Sequence, residues 1–570
     1  MSRSSNLLLV AGINLKTGIM DTILESCLSY CCYCCSCYGD PRHANLYEPL
    51  LMEEEKDAAN DLLSYLNTDS GEKPTINERR FRALCVLTYS ENVDLQRSAA
   101  LWLAEISEKL LQPITIRLMK LVIALLESGD IETQKAASLA LNNLAVHGPD
   151  CNKDIIIKSG GLRVLIRLLR SSSLEVKCNV CGCITSLATS DLNKREIVVK
   201  GGIKPLLTLA KSQDIRVRRN AAGALLNLTH IDANRQALVS DGAIPVFVSL
   251  LSSEDTDVQY YSSAALSNLA VDESHRKHVS KEGNHRVLRS LIFLLDSPID
   301  KVKCQACFAL RNLASDESNQ VAIVDLGSLP PLLRIIKTSK KDTLSAAVAA
   351  VRNLSIHRQN ETPIVQEGFL PELCRLLYEP MIWEVHCHAA GTLRNLAAGD
   401  HVTTILSSGG LESLVSTFME STSPASVQTE VTAALAVMSS DDDAKQKLLE
   451  SHSGRFFSRL VNLAVSSPHS EVQYNSAGII GQVALLTIPS ELLKNNVVGI
   501  LKYLEKFLRS KDTNFIHIAL WTCVQLLKDE SFLMSFRESN IPAQVKTLQM
   551  ISSLPLHIKE LAGTVLEEHC

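Results

Sequence analysis

The amino-acid sequence predicts an all-α protein: a right-handed solenoid of about eleven three-helix repeats behind a disordered cysteine-rich leader. Three observations carry that expectation. A glycine precedes a Leu/Ile-rich run at Gly160, Gly201, Gly242, Gly283, Gly327, Gly368 and Gly409, at a spacing of 41 residues broken once by 44. An Ala-Leu-x-Asn-Leu-Ala segment or a close variant keeps the same beat, centred on Asn143, Ser186, Asn227, Asn268, Asn312, Asn353 and Asn395, with fainter copies at Glu105, Val437, Gln482 and Thr522. Within that segment Ala306, Ala309, Leu310 and Leu313 fall at i, i+3, i+4 and i+7, the spacing that puts them on one buried helical stripe.

A period in the low forties is that of armadillo or HEAT solenoids, whereas tetratricopeptide and ankyrin units are about 33 to 34 residues long. The copy containing Gly242 shows the three helices. A short one lies around Asn234 to Val239, an apolar one runs from the Gly242 turn and the first-turn Pro245 to Leu251, and a longer one spans Asp257 to Ala270. Stacks of this kind lean only on their neighbours, so the repeats at 75–540 are expected to form one elongated superhelix with a concave binding face. Ahead of them lie the leader at 1–45 and an amphipathic helix with its linker at 46–74, and behind them capping helices at 541–570. The helix near 46–66 has an acidic first turn and is expected to cap the first repeat, or else to pack on another copy or in the groove.

Composition narrows the function classes. The 570 residues are 46% hydrophobic and 21% charged, which marks an ordered chain. A net charge of −5 leaves no global basic field for nucleic acid. No window supplies the roughly 18 consecutive apolar residues of a membrane-spanning helix. Paired catalytic carboxylates, a nucleophile elbow, a His-Glu-x-x-His motif and a glycine-rich phosphate loop are all missing from the pattern, so neither an enzyme nor a cofactor is expected. Cys178, Cys181 and Cys183, and later His386 and His388, sit in apolar helical contexts and read as packing rather than as metal ligands. The sequons at Asn227, Asn353 and Asn360 read as chance matches, two of them within apolar helical patterns.

The candidate binding residues follow from the same register. The centre of the repeat segment lies off the buried stripe, so Asn143, Asn227, Asn268, Asn312, Asn353 and Asn395 form a ladder of carboxamides. Each amide offers a donor and an acceptor that can grip the backbone of an extended peptide. Helices in contact lie about 8–10 Å apart and an extended chain advances about 3.3 Å per residue, so each rung is expected to meet roughly every third ligand residue. The alternative is that the amides bond neighbouring repeats. Three consecutive rungs carry arginine immediately before the asparagine, at Arg311, Arg352 and Arg394. Arginine forks carboxylates, so this cationic stripe is expected to contact a partner with acidic or carbonyl-rich residues, and reversing its charge to abolish binding while barely moving the thermal melt.

The leader places Cys27, Cys31, Cys32, Cys34, Cys35 and Cys37 within eleven residues. Metal binding is disfavoured because the segment has no histidine and no second ligand pair at finger spacing, and a disulfide knot is disfavoured in a reducing compartment. Multiple S-acylation fits best, since stable membrane anchoring needs at least two acyl or equivalent signals. Cys570 is not placed for prenylation.

Taken with that leader, the segments at 94–100, 215–220, 250–261, 306–315 and 517–521 resemble the fungal vacuolar protein 8 family. The resemblance implies an acylated adaptor, peripheral on the cytoplasmic face of the vacuole membrane. Its groove would take a nuclear-envelope tether, an autophagy-initiation scaffold or a myosin adaptor for vacuole inheritance, and self-association is open. It also implies an arginine triad for partner contact that falls on Arg311, Arg352 and Arg394. The family typically starts Met-Gly and is myristoylated, whereas here Ser2 follows Met1, so that modification is not implied for this chain as written; Gly18 to Thr22 would fit the pattern if Thr17 were an initiator methionine. Two rival readings share the solenoid. A β-catenin-like adhesion or signalling adaptor differs by lacking such a leader. An importin-α-type receptor carries tryptophan four residues before each asparagine, where this chain has Leu139, Gly223, Ala264, Phe308, Ala349 and Gly391.

Overall fold

The computed structural model describes residues 51–67, 75–110, 112–339, 341–379, 382–420, 422–486, 488, 490–551 and 553–567, and these residues form helices and no strand. The cysteine-rich leader therefore lies outside the described residues. The chain divides into two units, one ending at Leu269 and one beginning at Ala270.

The repeat glycines do what their spacing suggests. All seven adopt positive φ, between +58° and +95°. At Gly368 an added Cβ would meet nothing within 4 Å, so the requirement there is the left-handed backbone and not space. That residue ends the short helix Arg358–Glu367 and opens the apolar helix Phe369–Tyr378. Gly454, at φ +79°, continues the series where the spacing stretches and the pattern had lost it.

In the first unit, the helix Glu53–Asn67 packs on the opening repeat, made of Glu78–Thr88 and Val93–Ser107. Of the three placements open to it, the structure takes the cap. Trp102 is fully buried and its Nε1 donates to the Leu62 carbonyl at 3.2 Å, while Ser90 Oγ donates to Glu55 Oε1 at 2.6 Å. Further along, helix caps double as staples between repeats. Asp130 caps the helix Ile131–Val146 through Thr133 N at 2.8 Å and also receives Arg97 of the preceding repeat at 3.2 Å. Burial pushes its carboxyl up, but the hydrogen bonds from Arg97 and Thr133 outweigh that and bring it down to about 2. Asp255 and Arg219 repeat the arrangement further along the unit.

The second unit continues with the triplets Glu273–Lys281, Arg286–Leu294 and Asp300–Leu313, then Glu317–Asp325, Leu329–Thr338 and Lys341–Leu354, then Arg358–Glu367, Phe369–Tyr378 and Trp383–Ala398. The predicted stripe is buried: Ala306, Ala309 and Leu313 are fully covered and Leu310 is 1% exposed. Near the end the pattern changes. One long helix, Ser490–Leu508, stands where earlier repeats have two, and Glu530–Glu538, Ile541–Met550 and Leu556–Glu567 make a last triplet.

A second asparagine series, not singled out by the sequence reading, holds the repeats together. Asn152, Asn193 and Asn234 in the first unit, and Asn319 and Asn360 in the second, keep the same 41-residue step and are at most 3% exposed, although Asn193 Nδ2 finds no hydrogen-bond partner among the described residues. The last turn of an α-helix leaves its carbonyls without intrahelical donors. Asn152 Nδ2 supplies one to Leu144 O at 3.0 Å, and Asn319 Nδ2 supplies one to Leu313 O at 3.0 Å. Asn360 Nδ2 reaches both Leu354 O at 2.9 Å and Gln320 O at 3.1 Å. Such burial also removes Asn360 from use as a glycosylation acceptor in the folded chain. Asn360→Ala strands the buried Leu354 carbonyl and removes the bond to Gln320 O, and is expected to lower stability by about 1–3 kcal/mol, read as a reduced urea midpoint for the full chain.

Candidate partner-binding site

The last turn of each long helix carries the rung residues, and the structure places them half-buried on one face of their unit. Five of the rung amides are tied to the repeat before them. Asn227 Nδ2 donates to Thr185 O at 3.1 Å and Asn268 Nδ2 to Thr229 Oγ1 at 2.8 Å in the first unit. In the second, Asn353 Nδ2 donates to Arg311 O at 2.9 Å, and Asn395 Nδ2 to Arg352 O at 3.2 Å and Ser355 Oγ at 3.1 Å. Asn143 Nδ2 bonds Ser107 Oγ at 3.1 Å, and Ser186, the substituted rung, keeps the link by donating its hydroxyl to Ala145 O at 2.7 Å. The amide nitrogens thus join neighbouring repeats, which was the alternative to peptide gripping. They do so without closing the face. The Oδ1 atoms of Asn227, Asn268 and Asn353 accept no hydrogen bond among the described residues, and an amide carries a second N–H.

In the second unit these bonds also position the arginines. The carbonyls that Asn353 and Asn395 hold belong to Arg311 and Arg352, so each asparagine fixes the backbone that projects the preceding guanidinium. Arg311 forks Asn312 Oδ1 through Nε at 3.2 Å and Nη2 at 3.1 Å and lies 5.0 Å from the Phe308 ring centroid. Arg394 turns Nη2 toward Asn395 Oδ1 at 3.4 Å and donates Nη1 to Glu430 Oε2 at 2.8 Å. Arg352 reaches further. Its stem crosses the helix Trp383–Ala398 at Gly391, where an added Cβ would stand 2.5 Å from Nε, and its Nη2 bonds Glu430 Oε1. Gly391 is the place where an importin-type receptor would carry tryptophan, and its bareness is what lets Arg352 through.

Glu430 was not singled out from the sequence. It lies on the helix Ala425–Met438, seven residues before the faint rung at Val437, so it shares that rung's helix face. Its equivalent position holds Asn220, Gln305 and His388 in other repeats, a second polar row that the pattern does display. What the pattern cannot display is an arginine reaching across 78 residues of chain to meet it. The pairing also corrects the expected outcome of charge reversal. New carboxylates at 352 and 394 would face Glu430, so the thermal melt would fall along with any binding.

His388 contributes no charge to this face near neutral pH. Burial, with Arg352 close by, pulls its imidazole down to about 4. His386 is buried and hydrogen-bonded to Glu379 O at 2.8 Å, a packing role. Cys181 and Cys183 are fully buried, and burial pushes the Cys183 thiol up to about 12; Cys178 is only half-buried. Beyond Arg394 and Glu430 the face opens into a cavity of about 640 Å³ bounded also by Tyr474, Asn475 and Phe515.

Comparison with known proteins agrees with this architecture. A family model described as Armadillo/beta-catenin-like repeat matches residues 149–189, 190–230, 232–271 and 316–356. Vacuolar protein 8 of Schizosaccharomyces pombe is 46% identical over 507 residues, 87% of this chain and 89% of the relative. The protein of the same name from Komagataella pastoris is 46% identical over 538 residues, 94% of this chain and 93% of the relative. The chain belongs to the vacuolar protein 8 family. It is accordingly a vacuolar armadillo adaptor and not an enzyme.

Another vacuolar protein 8, from Candida albicans, is 45% identical across 87% of this chain and 85% of the relative. Among solved structures, an engineered protein matches at a TM-score of 0.65 and 30% identity over 72% of this chain and 99% of its own. A structure titled for the phosphorylation-controlled interaction between cadherin and beta-catenin matches at a TM-score of 0.69 over 85% of this chain and 98% of its own. At 16% identity, that likeness is of fold alone. Armadillo-repeat proteins bind protein partners. Among the described residues, no helix is long and apolar enough to cross a membrane.

The depressed His388 has a stability consequence of definite sign. An unfolded chain takes up that proton near pH 6.5 while the folded chain resists until about pH 4, so the stabilisation is complete above 6.5 and is lost as the pH falls toward 4. The His388→Gln variant is expected to lose less melting temperature than the parent between those two pH values, in paired calorimetric scans.

Proposed function

We propose that this protein is a lipid-anchored adaptor on the cytoplasmic face of the vacuole membrane whose arginine-and-asparagine face binds extended segments of partner proteins. The observation that carries the reading is the row of Arg311, Arg352 and Arg394, one per repeat, each near the C-terminal end of its long helix beside a rung asparagine. Guanidinium groups at regular steps suit a ligand that is itself periodic, and an extended chain is periodic in the required way. The rung amides of Asn227, Asn268, Asn312, Asn353 and Asn395 would add backbone hydrogen bonds, with several Oδ1 atoms open to a ligand N–H. The partner classes are a nuclear-envelope tether, an autophagy-initiation scaffold and a myosin adaptor. They would serve nucleus–vacuole contact, cytoplasm-to-vacuole targeting and vacuole inheritance, with vacuole fusion and self-association as further uses of the same array.

Membrane attachment in this reading comes from thioester-linked acyl chains on Cys27, Cys31, Cys32, Cys34, Cys35 and Cys37, which lie outside the described residues. Each buried methylene contributes about 0.8 kcal/mol, so two or more chains anchor the protein stably without any spanning helix.

Replacing the three arginines by glutamine removes their charge without facing Glu430 with new carboxylates. In co-precipitation from vacuole-membrane extract, the triple variant is expected to lose partner proteins that the parent retains; equal recovery of every partner would overturn the site. Serine at the six leader cysteines is expected to move the protein into the soluble fraction and remove its hydroxylamine-sensitive acyl label, and persistence of both would overturn the anchor.

A further inference from the structure

The arginine stripe already holds a carboxylate. Glu430 takes Arg352 on Oε1 and Arg394 on Oε2, bridging two guanidinium groups that belong to different repeats. Its side chain is only 17% exposed, and those of Arg352 and Arg394 are 26% and 33% exposed. An acidic residue of a partner would seek the same donors. Arg311 differs: its guanidinium is spent on the neutral Asn312 amide and the Phe308 ring. The three arginines that look equivalent in sequence are therefore unequal in what they offer.

We propose that Glu430 is a built-in occupant of the partner site and sets its selectivity, standing in for a partner carboxylate at Arg352 and Arg394 until one displaces it. The inference rests on the partner-binding reading above and adds the chemistry of exchange. Three features of the geometry support it. Gly391 leaves a lane through which Arg352 reaches Glu430, so the bridge is accommodated by the intervening helix rather than forced past it. Glu430 also lines the 640 Å³ cavity beyond Arg394, which gives its carboxylate an open space to turn into when released. Finally, His388, the neighbouring imidazole beside Arg352, is held neutral and adds no further cation to compete for a released carboxylate.

The consequence is discrimination. A lone carboxylate meets an unopposed cation only at Arg311; at the other two positions it must replace a carboxylate that is already seated, and the gain is the difference between two similar ion pairs. Segments with a single acidic residue bind through Arg311 and the amides. Segments with several acidic residues in register gain more, because they can fill both guanidinium groups that the single Glu430 carboxylate vacates. This weakens the hold on chains with a single acidic residue relative to chains with several, the role that an opposing group plays in specificity.

The test uses the full chain and a fluorescein-labelled Ser/Thr peptide with glutamate at every third position, beside the same peptide with glutamine in those places. Glu430→Gln keeps the shape and removes the charge. It is expected to tighten binding of the glutamate peptide by about tenfold, the scale of one ion pair relieved of competition, to steepen the loss of that binding with added salt, and to leave the glutamine peptide unchanged. A purely structural ion pair would instead lower the thermal melt of E430Q without raising affinity, and that result overturns the proposal. So does equal tightening toward both peptides. If the parent binds the glutamate peptide and E430Q binds it no better, the exchange idea fails while the partner site stands. If neither protein binds it, the carboxylate-binding reading falls and this inference with it. Glu430→Ala serves as a second variant and is expected to shift affinity in the same direction.

Discussion

The carbonyl groups at the C-terminal ends of the long helices are the constraint on which the rest of this structure depends. A helix leaves them without internal donors, and a stack of helices buries many of them. This chain answers with asparagine, used twice in several of its repeats. One series, represented by Asn319 and Asn360, is buried and reaches carbonyls at the very end of the preceding long helix. The other, represented by Asn353 and Asn395, sits half-buried on the face and reaches carbonyls two residues earlier in the long helix of the neighbouring repeat. Repeats therefore join through directional bonds as well as through alanine and leucine packing, and directional bonds set the register in which side chains are displayed.

On the proposed function, that register is what turns a structural device into a binding surface. Because Asn353 and Asn395 hold the backbone of Arg311 and Arg352, the guanidinium groups project from fixed points and not from mobile loops. A site pre-organised in this way loses less entropy on binding than one that must be assembled. In the proposed reading the adaptor's work is to present donors at a constant step, and substitutions at single rungs tune one step at a time. Glu430 shows how far such tuning extends, since one carboxylate alters the availability of two arginines in two other repeats.

Much of this was legible in the linear pattern. The glycine beat marked seven left-handed turn positions from Gly160 to Gly409, because few other residues adopt positive φ cheaply; it missed Gly454, where the spacing stretches, and the positive-φ positions at Asn284, His285 and Lys341, which carry no glycine. The stripe of Ala306, Ala309, Leu310 and Leu313 was buried as its spacing required. The placement of the Glu53–Asn67 helix was less legible, since an amphipathic helix has a face to cover without naming its cover. Trp102 and Ser90 settled it by bonding to Leu62 and Glu55.

Periodicity and residue type by themselves determined the repeat, its three helices, the turn glycines and the face that carries the rungs, because each of these follows from local geometry that recurs every 41 residues. Only the tertiary structure decided which asparagines are buried ties and which border an open surface, since both series share one residue type and one period. It alone also distinguished the three arginines. Their surroundings come from side chains reaching over a bare glycine into a distant repeat, and a contact between residues 352 and 430 leaves no periodic trace in the chain.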